Sequence, residues 1–158
     1  MEPSLLDEIP SLDLAHFTQG NAEQKAKFVH ELGTAFNNIG FVAIKNHGLS
    51  DQLRDDLYAT VQEFFKYPEE TKRKYEFKEL FGQRGYVSKG RETAKGFKTA
   101  DLKEFYHIGQ PDPEEGMALN VFPTEVPRFK ELAEETYRTF EKTGKTLLRA
   151  IALYLNLD

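Results

Sequence analysis

The side chains in this 158-residue sequence with the widest chemical reach are its four histidines, His16, His30, His47 and His107. An imidazole can hold a metal ion, move a proton or bond to backbone. A facial iron site takes two imidazoles and one carboxylate and leaves positions open for oxygen and substrate. Its local form is His-x-Asp or His-x-Glu on a strand, with a second His far along the chain. No histidine here has Asp or Glu two residues on; those positions hold Thr18, Leu32, Leu49 and Gly109. The zinc pattern H-E-x-x-H also fails, because His30-Glu31 is followed by no second His. With no Cys there is no thiolate metal site, no disulfide framework and no Cys nucleophile. Gly82, Gly85, Gly90 and Gly96 punctuate one stretch, yet they form no G-x-G-x-x-G and precede no Gly-Lys-Ser/Thr. A G-x-S-x-G nucleophile turn is absent as well. The acidic pairs Asp55-Asp56, Glu69-Glu70 and Glu134-Glu135 read as solvated helix faces. His47, within the turn Asn46-His47-Gly48, is expected to bond backbone. His107 is the histidine to follow, since it could face a cavity beside Phe105.

The elements that must position these residues are organised around Ile39 to Ser50, IGFVAIKNHGLS. Phe41 to Ile44 is an apolar run and predicts a short strand covered on both faces. Before it, Ile9 to Leu14 predicts a strand with Leu12 and Leu14 on one face, Pro10 setting it at a strand start or sheet edge. His16 to Gly20 reads as a connection. Asn21 with Gln24 forms a capping-box pattern, and Phe28, Val29, Leu32, Ala35 and Phe36 recur at helical spacing. Asn37, Asn38 and Gly40 end that helix. Ser50 caps the next, whose stripe is Leu53, Leu57, Val61, Phe64 and Phe65. Tyr67-Pro68 stops it and Pro68 opens a short helix, PEETKRKYE. A short strand at Gly85–Val87 and a long loop follow, then a strand within Asp101 to Gly109. There, Lys103, Phe105 and His107 fall on one face and Glu104, Tyr106 and Ile108 on the other. Pro111 to Pro127 is irregular. A helix over Arg128 to Asn156 carries Phe129, Leu132, Thr136, Phe140, Leu147, Ile151 and Leu155 down one face. Gly144 interrupts it, either at a cost of about 1 kcal/mol or to allow close packing. The expected fold class is α+β: three or four helices, the last the longest, and about four short strands.

The length suits one domain, or one domain plus a long arm, able to bury a real core. Net charge is −5, which argues against nucleic acid as a partner. The stretch Lys66 to Glu104 is locally basic, with eleven Lys and Arg against seven Asp and Glu; it reads as a mixed surface or as a rim that attracts an anion. MEPSLLDEIP has neither the basic start nor the apolar run of a secretory leader, and no run of about 18 apolar residues predicts a membrane span. A cytoplasmic protein is the expectation.

The order of motifs carries a resemblance. IPSLDL, GFVAIKNHG, PEETKRKY, QRGYVSKG, DLKEFYHIG, NVFP with Pro127 and Phe129, and a long helix ending ALYLNLD follow one another in this sequence. In that order and spacing, from about Ile9 to Asp158, the chain resembles the N-terminal region of the isopenicillin N synthase-like branch of the non-haem Fe(II)/2-oxoglutarate-dependent dioxygenases. The resemblance implies an oxidoreductase that uses O2, Fe(II) and 2-oxoglutarate on a small molecule. It implies a fold of helices and short strands that extend a double-stranded β-helix, the jelly roll, which binds the iron and the co-substrate. In this sequence His-x-Asp is missing, Arg-x-Ser is approached only by Arg91-Glu92-Thr93, and the chain stops where the jelly roll should begin. The expectation is therefore a cavity-walling domain over residues 1–158: a helix/strand core at 9–109, a Pro-rich connection at 110–127 and a long helix at 128–156. It holds no iron or 2-oxoglutarate by itself, and its partners are the missing C-terminal jelly roll and a small-molecule substrate. The alternative is a stand-alone binding or interaction module derived from that domain. By match to the family's Gly-Tyr segment, Gln83, Arg84 and Val87 are substrate-wall candidates; by match to the strand after Asp101, so are Phe105 and His107. Arg84 could pair with an anionic substrate group or with a surface carboxylate. Gly40, Asn46, His47, Gly48, Gly85 and Tyr86 are expected to be structural. A chain that normally rests on a barrel should also expose an apolar patch or self-associate.

Overall fold

The computed structural model describes residues 9–91 and 100–157. The leader reading of the first residues, and the part of the long loop that contains Gly96, lie outside the described residues. The chain is helix-rich with four short strands among the described residues, an α+β arrangement, and it divides into two compact units, 1–49 with 139–158 and 50–138.

In the first unit, strand β1 (Ser11–Asp13) pairs in parallel with β2 (Ala43–Lys45), Ser11 opposite Ala43 and Asp13 opposite Lys45. A parallel pair needs a long crossover. Two helices supply it, α1 (Leu14–Thr18) and α2 (Ala22–Asn38). The segment around His16 is thus helical rather than a plain connection. Asp13 ends the strand and caps α1, its Oδ1 accepting the Ala15 N–H at 2.9 Å and the Asn46 amide at 2.7 Å. Those bonds, Asn46 first, hold the Asp13 carboxyl below its ordinary value. Asn46, at φ 54°, therefore ties the turn after β2 back to β1. Asn21 and Gln24 form the capping box, each bond 2.9 Å. Leu12, Leu14, Phe28, Leu32 and Ala150 make the core of this unit. The β2 expectation needs correction. Val42 and Ile44 pack against the core, while Phe41, Ala43 and Lys45 face outward, so only one face of the strand is covered in this chain. The strand also begins two residues later than its apolar run, because its extent follows its partner β1.

In the second unit, α3 (Asp51–Lys66) starts at Ser50, whose Oγ accepts the Leu53 N–H at 3.1 Å. Tyr67 adopts the extended conformation that Pro68 demands, and α4 (Glu69–Arg73) follows with acids first and bases last. A 3-10 turn, Lys78–Leu80, leads to β3 (Gly85–Val87), antiparallel to β4 (Phe105–His107), Gly85 opposite His107 and Val87 opposite Phe105. Phe64 is the hub of the core. Its ring meets those of Tyr75, Tyr86, Tyr106 and Phe129 edge-on, centroids 5.0 to 6.1 Å apart, the geometry aromatic quadrupoles favour. The Pro-rich connection is irregular but anchored. Tyr75 Oη donates to the Glu125 carboxylate and accepts the Thr124 N–H at 2.9 Å, and Tyr106 Oη donates to the Val121 carbonyl at 2.9 Å.

The longest helix, α5 (Phe129–Tyr154), gives its first turns to the second unit and the rest to the first. Phe129, Leu132, Ala133 and Thr136 are buried in its first part and Ala150 in its last. Phe140, Leu148 and Leu153 are exposed on the same helix, as is Leu155 just beyond it. A Cβ at Gly144 would meet nothing within 4 Å among the described residues, so that glycine makes no close packing with them. Among the described residues no helix is long and apolar enough to cross a membrane.

Candidate functional site

The β3–β4 hairpin is held by a charge that its own sequence places inward. Glu104 precedes β4 on the face it shares with Tyr106. Its Oε2 takes the Lys72 ammonium of α4 at 2.6 Å and the Tyr86 hydroxyl of β3. The Lys72 and Glu104 side chains are only 9% and 18% exposed. Lys72 Nζ also stands 5.5 Å from the Tyr86 ring centroid and 5.9 Å from that of Phe65, within cation–π range. Burial raises the Glu104 pKa, but bonds from Lys72 and Tyr86 and the charges of Lys72 and Lys89 outweigh it and hold the carboxyl below its ordinary value. Burial, reinforced by Glu104, pushes the Tyr86 phenol up, so it stays a neutral donor. Gly85 completes the frame. Its φ is +77°, and a Cβ there would fall 2.3 Å from the Tyr75 carbonyl oxygen, the atom that accepts the Tyr86 N–H at 2.9 Å.

On this frame sits a cavity of about 290 Å3 lined by Phe81, Gly82, Gln83, Val87, Arg91, Phe105 and His107. Four of the five wall candidates, Gln83, Val87, Phe105 and His107, are thus brought together. The His107 ring packs against that of Phe105, centroids 4.6 Å apart and planes tilted by 44°, and its Nδ1 lies 2.5 Å from the Gly82 carbonyl oxygen. A carbonyl only accepts, so Nδ1 carries the proton, and in the neutral ring Nε2 is left as an acceptor. Arg84 does not line the cavity. Its guanidinium lies over Gly109, where a Cβ would be 2.1 Å from Cζ, and its Nη1 donates to the Gln83 carbonyl at 2.7 Å. Its Nε is buried with no hydrogen-bond partner among the described residues. Phe81 and Arg91 are cavity residues that sequence reasoning missed. Both flank glycines of the stretch already marked as unusual, but neither type announces a wall position.

The turn after β2 is bonded within the first unit. His47 Nδ1 accepts the Leu49 N–H at 3.2 Å, and the His47 carbonyl takes the Thr143 hydroxyl at 2.5 Å. Gly40 and Gly48 have φ of +81° and +88° on either side of the strand.

A family described as non-haem dioxygenase in morphine synthesis, N-terminal, matches residues 9–125. The chain belongs to this family. It is an N-terminal domain of the 2-oxoglutarate/Fe(II) oxygenase type. The 2-oxoglutarate-dependent dioxygenase frbA of Dothideomycetidae sp. (strain 11243) is 31% identical over 94% of this chain and 48% of its own length. A 2OG-Fe(II) oxygenase family protein from Caulobacter crescentus superposes with a TM-score of 0.81 at 35% identity, over 95% of this chain and 49% of that one. A full-length Neurospora crassa protein, solved in complex with alpha-KG, superposes at a TM-score of 0.83 and 28% identity, over all of this chain and 51% of that one. The domain therefore spans about half the length of the relatives it matches. The names of these and further relatives give 2-oxoglutarate dependence, as for frbA, or 2-oxoglutarate with Fe(II), as for the Caulobacter crescentus protein and a 2-oxoglutarate-Fe(II) type oxidoreductase of Metarhizium majus. Among the described residues of this domain no three His, Asp or Glu side chains cluster to hold a metal ion. The described residues do not form the two-imidazole, one-carboxylate set that iron would take.

Proposed function

We propose that this chain is the substrate-cavity-walling domain of a non-haem Fe(II)/2-oxoglutarate-dependent oxygenase that acts on a small molecule, and that it is not catalytically competent alone. The observation that carries this reading is the cavity on the β3–β4 hairpin, where Gln83, Val87, Phe105 and His107 offer an amide, two apolar surfaces and a ring nitrogen to one small volume. Such a mixture of apolar wall and a few polar groups is what orients a small ligand. Arg84 acts as a positioning residue through the Gln83 carbonyl. Iron and 2-oxoglutarate chemistry belongs, on this reading, to a C-terminal jelly roll. The outward face of β2, with Phe41, and the exposed Phe140 and Leu148 of α5 are where that jelly roll would rest, with β1 and β2 extending its sheet.

The test is Fe(II) binding and conversion of 2-oxoglutarate to succinate by the 158-residue chain, with and without the C-terminal half of an oxygenase relative added. The expected result is neither activity nor stoichiometric Fe(II) for the chain by itself. Tight one-to-one Fe(II) with succinate release from the chain alone overturns the proposal.

A further inference from the structure

We propose that Phe81 is a specificity-determining contact of the hairpin cavity, and that the cavity takes a planar aromatic ring bearing a carboxylate or carbonyl oxygen. This rests on the substrate-wall reading and names the substrate class. Two observations about Phe81 point the same way. Its backbone closes the 3-10 turn at φ 50°, ψ 30°, left-handed, a conformation that a bulky side chain rarely adopts. Glycine is the usual residue at such a helix end, and glycine stands next to it at Gly82 (φ +75°). Its ring is 85% exposed, so no burial offsets the backbone strain. Strain that the fold itself does not use points to function.

The chemistry of the other walls defines what the ring meets. The Phe105 and His107 rings are in contact, tilted 44° to each other, and Val87 is apolar. With Phe81 they make three rings around a volume suited to one more flat ring. Gln83, Arg91 and the ring nitrogen of His107 are the polar groups of the lining. Arg91 Nε is steered by Glu76 Oε1 at 3.6 Å, and Lys103 Nζ stands 5.4 Å from the Phe105 ring centroid. A guanidinium and an amide beside aromatic walls recognise an oxygen on a planar group, and a carboxylate most strongly. A saturated ring of equal size would gain the apolar contact but not the stacking.

The experiment uses benzoate and cyclohexanecarboxylate as probes, followed by heteronuclear NMR on the chain through the Gln83 side-chain amide and the Val87 methyls. Thermal unfolding is measured on the same samples. Benzoate is expected to bind about threefold to tenfold more tightly than cyclohexanecarboxylate, the range of an aromatic pair. Phe81→Gly should remove that preference while raising Tm, because glycine relieves the left-handed strain. Phe81→Trp should keep the preference. Equal binding of the two probes, no binding of either, or benzoate binding unchanged in Phe81→Gly overturns the proposal. A lower Tm for Phe81→Gly also overturns it, since the ring would then be structural. The wall reading is tested separately, by Fe(II) binding and succinate release with and without the C-terminal half of a relative, so this proposal can fail while that reading stands.

Discussion

Glu104→Gln is the substitution that tests the frame of the site most directly. It removes the carboxylate 2.6 Å from the Lys72 ammonium and changes little else in size. Lys72 is held between two rings with 9% of its side chain exposed, so its charge cannot turn to water without leaving its site. Removing one partner of a buried ion pair costs about 3–5 kcal/mol. Glu104 keeps some solvent access, 18%, which sets the expectation at the lower end, about 3 kcal/mol. Against a total stability of about 5–15 kcal/mol this is large, and it corresponds to a fall in Tm of roughly 6–12 °C. Urea unfolding followed by far-UV circular dichroism measures it at pH 7. The sign with pH follows from the depressed Glu104 carboxyl. Its stabilisation is complete above the ordinary carboxylate value and is lost as pH falls through the lowered folded value, so wild type and Glu104→Gln converge in acid. Replacing both partners, Lys72→Met with Glu104→Leu, should cost far less than Glu104→Gln, because no charge is stranded. A Glu104→Gln protein within about 1 kcal/mol of wild type at pH 7, the range of a neutral hydrogen bond, refutes this account, as does a gap that persists unchanged in acid.

Three other predictions come from the backbone and the surface. Gly144→Ala should stabilise the chain by up to about 1 kcal/mol, because its Cβ meets open space within a helix; chemical denaturation checks it, and a loss of stability would mean that the position packs against something. Gly85→Ala should cost roughly 2–4 kcal/mol, since it combines a positive φ with a Cβ 2.3 Å from the Tyr75 oxygen; a Tm equal to wild type would contradict that geometry. The chain should bind a hydrophobic dye or self-associate, given exposed Phe41, Phe140, Leu148 and Leu155; analytical ultracentrifugation showing a clean monomer, with no dye signal, would count against it.

What was legible in the sequence followed from local signals. Asn21 with Gln24, Ser50 before Leu53, and Tyr67-Pro68 each specify a helix end by chemistry within four residues, and each end lies there. Gly85–Val87 was legible because Gly85 opens a pair of strand-forming residues, Tyr86 and Val87. Helix α1 was not, because five residues show no helical period and its start depends on Asp13 turning back to cap Ala15. The limits of β2 were set by β1, some thirty residues away, and not by its own apolar run. Phe81 was missed for a related reason. Its left-handed backbone is set by the 3-10 turn before it, and sequence alone would assign that conformation to Gly82.

Glu104 shows where parity succeeds and where it stops. Alternation along Asp101 to Gly109 sets Glu104 on the face of Tyr106, and that face does turn toward the core, with Tyr106 packed against Phe64. An acid on an inward face is a contradiction unless a cation meets it. The cation is Lys72, in a short helix whose sequence explains its bases as dipole partners at a helix C-terminus. Nothing local distinguishes Lys72 from Arg73 or Lys74, its neighbours in KRK. Of the three, only Lys72 is buried. The helical turn that directs Lys72 toward Glu104 leaves Arg73 to pair with Glu69 and Lys74 with Glu125. The ion pair that frames the site is thus a product of helix phase and strand parity meeting at one point, and each is readable alone while their meeting is not.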